Sequence, residues 1–241
     1  MKRNLLPLAV VALLSACTQK PVQTGEAVQG SAHYTVSSPG DDDSLLRIPG
    51  GNVYTLNKYL SSERNIAILK RAEGEGVAMK RVIFAHSKNE AKALNCRATH
   101  LIYGTNKKPF SYLIESAMNQ ELKASGLMGS KKYRVHAALD EMNFSTLDYK
   151  LFGTGKWLMR MTLRERGKAP LVVVHEYAFP LAIMAEKTCT NAAEAMMPAI
   201  QSFLYKLYTD PRFGELVHYK PCVDCAQQTS TRYITRKRSQ P

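Results

Sequence analysis

Trp157-Leu158-Met159-Arg160-Met161-Thr162-Leu163-Arg164 is the stretch that decides the fold class. Trp157, Met159, Met161 and Leu163 alternate with Leu158, Arg160, Thr162 and Arg164. Successive side chains of a strand point to opposite faces, so a period of two predicts a strand with one packed and one wet face. The same alternation lies on both sides of it. Upstream, Tyr133, Val135, Ala137 and Leu139 alternate with Arg134, His136, Ala138 and Asp140. A loop containing Gly153 and Gly155 separates the two stretches. Downstream, Arg166-Gly167-Lys168 reads as a tight turn into a third strand over Leu171 to Phe179.

Helical signals flank this triplet. A helix is expected to start at Ser111, whose hydroxyl can accept from first-turn amides, with a stripe of Leu113, Ile114, Ala117 and Met118. Gly126 is expected to end it as a left-handed C′ residue. A second helix is expected from Asn191, where Glu194 three residues on completes a capping-box pattern. Pro198 should kink that helix or mark its true start, and Asp210-Pro211 should end it. Earlier, the short apolar runs Ile66 to Leu69, Val82 to Phe84 and His100 to Gly104 suit buried strands. The expected fold is therefore α+β over residues 51–217. It is a two-layer domain with a mainly antiparallel sheet packed by two helices, in the order β-rich, α, βββ, α.

The ends of the chain read differently. Lys2 and Arg3 precede the apolar stretch Leu5 to Leu14, which is too short to remain as a membrane helix. Leu14-Ser15-Ala16-Cys17 has the form of a bacterial lipobox, so residues 1–16 read as a lipoprotein signal and Cys17 as the lipidated residue. Thr18, rather than Asp, follows it, which directs the expectation to the periplasmic face of the outer membrane. Residues 17–50 read as a polar tether that extended could reach about 100 Å. Residues 218–241 read as a basic tail containing Cys222-Val-Asp-Cys225.

The formal charge of +13 suits acidic partners, including phospholipid headgroups and peptidoglycan carboxylates. Export makes nucleic acid a poor partner. Export also changes the reading of the cysteines. In an oxidising compartment an even set favours disulfides, here Cys96–Cys189 and Cys222–Cys225. A zinc site and a thioredoxin-like role for Cys222-Cys225 are the alternatives, but only one CxxC is present and it follows Lys220-Pro221 in a polar tail. No metal or cofactor is expected.

Motifs for chemistry are absent: no G-x-S-x-G, H-E-x-x-H, Walker loop or S-x-x-K set occurs. His86, His100, His136 and His218 lack ligand spacing and read as structural or surface residues. Asp140-Glu141 reads as a strand end entering a loop, since neighbours on a strand cannot share a site without a bulge. Trp157, Met159, Met161, Met196 and Met197 could form a soft apolar binding surface, but core packing is the stronger reading. Arg134, Arg160, Arg164 and Arg166 could form a cationic face for an anion or a partner.

The segments Val135 to Phe144, Trp157 to Leu163, Val172 to Phe179 and Ala192 to Phe213 resemble the ABC-type transport auxiliary lipoproteins. Those proteins show three strands and an Ala-rich last helix ending in an Asp or aromatic; here the end reads Tyr208-Thr209-Asp210-Pro211-Arg212-Phe213. A weaker likeness is to lipoprotein activators of penicillin-binding proteins and to a lipopolysaccharide-assembly lipoprotein. The resemblance spans roughly residues 60–216. It implies a non-catalytic accessory that docks on a periplasmic protein complex, in lipid transport or envelope maintenance. The alternative it implies is a tethered regulator of a peptidoglycan synthase. A periplasmic enzyme stands third, because no nucleophile–base pair can be named.

Overall fold

The computed structural model describes residues 34–37, 51–56, 58–73, 81–87, 90–97, 99–129, 135–146 and 153–217. Strands β1 (Tyr34–Ser37) and β2 (Val53–Leu56) precede helix α1 (Glu63–Glu73). Three short strands follow: β3 (Ile83–Phe84), β4 (Ala93–Cys96) and β5 (His100–Tyr103). Helix α2 (Phe110–Ala124) leads to β6 (His136–Ser145), β7 (Thr154–Arg164) and β8 (Leu171–Pro180). Helices α3 (Ala185–Thr209) and α4 (Pro211–Val217) complete the order.

The class is α+β, with two mixed four-stranded sheets where a single mainly antiparallel one was expected. The first runs β1-β2-β5-β4 and the second β3-β6-β7-β8. Each holds one parallel pair, β2 with β5 and β3 with β6; the other neighbours are antiparallel. The alternation in β7 has the expected consequence. Trp157, Met159, Met161 and Leu163 are fully buried, and Met196 and Met197 lie in the same core, so the methionines pack the interior. Helix α3 lies over β7 and β8 and also contacts β2, β5 and α1, so it packs on both sheets. Trp157 Nε1 donates to the Ala192 carbonyl at 2.9 Å, satisfying the indole at the core's centre.

Four expected element assignments need correction. Ile66 to Leu69 is helical and belongs to α1: the Ser62 hydroxyl accepts from Asn65 N–H, capping a helix that buries Asn65 and Leu69. α2 begins at Phe110 after Pro109, and no side chain caps it. α3 begins six residues before Asn191, whose amide instead donates to the Pro180 carbonyl. Pro198 sits inside α3, which continues to Thr209 and stops at Asp210. The strand read as ending at Asp140 continues to Ser145 through a bulge between Leu139 and Glu141. Gly126 does end α2 with φ 83°. Gly51 is required by close approach, since a Cβ there would lie 1.6 Å from the Thr99 carbonyl oxygen. That contact brings β2 beside β5, where Asn52 N–H donates to His100 Nδ1 and Leu101 N–H to the Asn52 carbonyl.

Candidate functional site

A set of linked polar contacts lies where the chain leaves β3 and meets Ser111 and Glu115 of α2. Asn119 fixes the approach: it accepts from Val82 N–H at 3.0 Å and donates to the Val82 carbonyl at 3.1 Å. β3 follows immediately, and His86 emerges two residues beyond it. Ser111 and Glu115, four apart on α2, face the same way, as i,i+4 spacing requires. His86 Nδ1 lies 2.8 Å from Ser111 Oγ and Nε2 lies 2.9 Å from Glu115. Arg81 donates to the other Glu115 oxygen at 2.8 Å. Ser111 Oγ donates to Glu90, which also accepts from Ser87 N–H. Tyr112 stacks flat on the His86 ring at 3.8 Å.

The result is a relay of side chains, Arg81–Glu115–His86–Ser111–Glu90. Its middle has the carboxylate–imidazole–hydroxyl order of a nucleophile relay. The proton bookkeeping differs from one, however. Ser111 gives its proton to Glu90, and the His86 ring bridges Ser111 Oγ through Nδ1 and Glu115 through Nε2. Ser111 is fully buried. As arranged, the relay fastens the segment after β3, the Glu90 segment and α2 to one another.

A groove opens at each end. The first, about 680 Å³, has Tyr59, Tyr112, Leu113 and Met128 in its lining. Lys58, Arg81, Lys108 and Lys123 line it too, against one carboxylate, Glu115, that already holds Arg81 and His86. Lys108 Nζ sits 5.6 Å from the Tyr112 ring centre. The second, about 330 Å³, is lined by Glu90, Ala91, Leu94, Phe110 and Ser111 on one side and by Leu139 to Asn143 of β6 on the other. The Asp140 bulge lets Asp140 and Glu141 line this one groove.

Of the residues singled out by sequence, Cys96 and Cys189 form a disulfide with Cα atoms 5.8 Å apart. Cys17, Arg134, Cys222 and Cys225 lie outside the described residues. Arg160 and Arg164 share the outer face of β7, and Arg166 lies in the turn after it. That face carries carboxylates as well as arginines. Arg160 pairs across the sheet with Glu141 and Val174 and lies 4.0 Å from Asp140, while Lys156 and Glu176 form an ion pair beside it. The concentration of cations is at α2 instead. Sequence reading missed it because Lys58, Arg81, Lys108 and Lys123 come from four separate segments. The one legible signal was Ser111 and Glu115 at helical spacing behind an isolated histidine.

No family model matches the chain, and no curated protein matches it. Among solved structures, protein XCC0632 from Xanthomonas campestris, described under the family DUF330, aligns with a TM-score of 0.38 and 13% identity. The alignment covers 74% of this chain and 99% of that one.

Proposed function

We propose that this chain is a non-catalytic lipoprotein of the outer membrane whose periplasmic head serves an envelope protein complex as a lipid-transport or envelope-maintenance accessory, and that its α2 groove holds anionic phospholipid headgroups. The groove carries the reading. Four cations around an aromatic and aliphatic floor match an anionic headgroup with the first part of its acyl chains. Phosphate is satisfied by Lys and Arg without any covalent step, and the neighbouring relay supplies no exposed nucleophile. The lipobox adds a reason for the groove to meet lipid at all, because an anchored head works beside a bilayer surface.

The test is vesicle co-sedimentation with a form expressed without residues 1–17, so that no lipid anchor contributes. Vesicles containing phosphatidylglycerol should retain this form, and pure phosphatidylcholine vesicles should not. Lys58→Glu, Lys108→Glu and Lys123→Glu combined should lower retention on the order of a hundredfold, from three reversed charges at a low-dielectric surface. All three side chains are exposed, so the thermal midpoint should hardly move. Undiminished binding by the triple variant would remove the headgroup from the proposal.

A further inference from the structure

The second groove has a property that its lining reveals. Leu139, Asp140, Glu141, Met142 and Asn143 are consecutive. Side chains of consecutive strand residues point to opposite faces, so a cavity lined by all five runs along the edge of β6. Among the described residues that edge has a neighbour only at its start. β3 pairs with β6 only at Ile83 with His136 and Phe84 with Ala137, and the last bond is Ala85 N–H to the Ala137 carbonyl. After Ala85 the chain turns away into the relay at His86. Among the described residues no strand pairs with β6 on this side from Ala138 to Phe144. A row of backbone donors and acceptors at a sheet edge is a template for another strand.

We propose that this edge docks an extended, basic segment of a protein partner, added to the sheet as a further strand in the lane that β3 vacates. The groove's charge selects the occupant. Its lining holds Glu90, Asp140 and Glu141 and no Lys or Arg. Among the described residues the one ion pair these carboxylates make is Asp140 with Arg160 of β7 at 4.0 Å, and Asp140 also accepts from Thr162 of that strand. Half-buried Leu94, Leu139 and Met142, with buried Phe110, supply apolar contact between the carboxylates. A segment alternating Lys or Arg with β-branched residues would meet both. The bulge at Asp140 sets where its basic side chains fall, because it shifts by one which β6 residues share a face. This edge would be the protein-docking site in the reading above. The cationic groove lies at the other end of the relay, so headgroup binding and strand addition can fail separately.

The experiment uses the full chain in detergent and a fluorescently labelled Lys-Val-Lys-Val-Lys-Val peptide, followed by anisotropy. Saturable binding is expected, with slowed amide exchange at residues 138–144. Glu141→Lys and Glu90→Lys together should weaken it on the order of tenfold or more. Two N-methylated peptides separate strand addition from charge attraction. An added strand bonds the sheet through alternate residues, so methyl groups on one alternate set should cost on the order of tenfold or more, while the other set should be tolerated. Equal effects of the two sets, equal binding of a Glu-Val-Glu-Val-Glu-Val peptide, or no binding would overturn the proposal. So would loss of peptide binding as protein concentration rises, which would make a second copy of this chain the occupant. Binding lost with the Lys58, Lys108 and Lys123 reversals but kept with the Glu141 and Glu90 reversals would overturn it too.

Discussion

Glu121 is the residue on which the three longest helices meet. It is fully buried on α2 and accepts from Tyr59 Oη at 2.7 Å, Ser62 N–H at 2.9 Å and Asn65 Nδ2 through both oxygens. Asn65 also donates to the Gln201 carbonyl of α3, and Gln201 donates to the Leu60 carbonyl. One carboxylate thus joins the start of α1 to α2, and Asn65 extends the tie to α3. Burial pushes the Glu121 carboxyl up, and the bonds from Ser62, Tyr59 and Asn65 pull it partly back. Burial also pushes the Tyr59 hydroxyl up, with the Glu121 charge adding to it, so Tyr59 remains the donor. A carboxyl raised in the folded state holds its proton more tightly folded than unfolded. Its contribution is complete below the ordinary carboxylate range, near about pH 4.3, and is lost as pH rises from there to the raised folded value. Glu121→Gln should therefore show a flatter stability profile than wild type across the weakly acid range, read by urea unfolding at a series of pH values. Glu121→Leu, which leaves several donors without an acceptor, should cost on the order of 3 kcal/mol at low pH and less as pH rises through the weakly acid range. A parallel pH profile for wild type and Glu121→Gln would refute the shift.

Among the elements, β4 depends most on a covalent tie. Among the described residues it is an edge strand that pairs only with β5, and Cys96 at its end is bonded to Cys189 in the first turns of α3, across a sequence separation of 93. Cross-linking so distant a pair restricts the unfolded chain, and losing it should cost about 2–5 kcal/mol. Cys96→Ala with Cys189→Ala should lower the urea midpoint accordingly. Amide exchange should speed up first at Ala93 to Cys96, and least in β6 to β8, which are held by the α3 core. A variant with an unchanged midpoint would show that packing alone seats β4. This bond was legible in the sequence because the expected export signal and an even number of cysteines besides Cys17 suffice to suggest it. The strands β7 and β8 were legible too, since their alternation reports burial directly. Where reading failed, local pattern and long-range packing disagreed. Ile66-Ala67-Ile68-Leu69 is apolar enough for a strand, yet the Ser62 cap and the Asn65–Glu121 bonds set a helix there. Asp140 ended the visible alternation of β6 because one inserted residue shifts the inward positions from Ala137 and Leu139 to Met142 and Phe144. The start of α3 was hidden because Thr188 and Cys189 are buried while the surrounding sequence looks polar. The two grooves were illegible for a simpler reason, as each is assembled from segments that only the fold brings together.

At the scale of the whole molecule, the charges of the described head are sorted about α2. Cations gather at the Glu115 end of the relay and carboxylates at the Glu90 end, so a membrane contact and a protein contact need not compete for one surface. In the proposed function two different forces hold the protein to a bilayer, and salt separates them. Attraction between the Lys58, Lys108 and Lys123 groove and headgroup phosphates is electrostatic; it weakens as the Debye length shrinks from about 10 Å at 0.1 M salt to about 3 Å at 1 M. Acyl chains on Cys17 are held by burial of methylene groups, which salt does not weaken. Phosphatidylglycerol vesicles should therefore release the form lacking residues 1–17 when salt is raised to about 1 M, while the full lipidated chain stays bound. On neutral vesicles the full chain should bind at either salt level and the truncated form at neither. Release of the full chain by salt would remove the lipid anchor from the reading. Retention of the truncated form at high salt would mean that the head enters the bilayer by an apolar surface, and would move attention from the lysines to the Tyr112, Leu113 and Met128 floor of the groove.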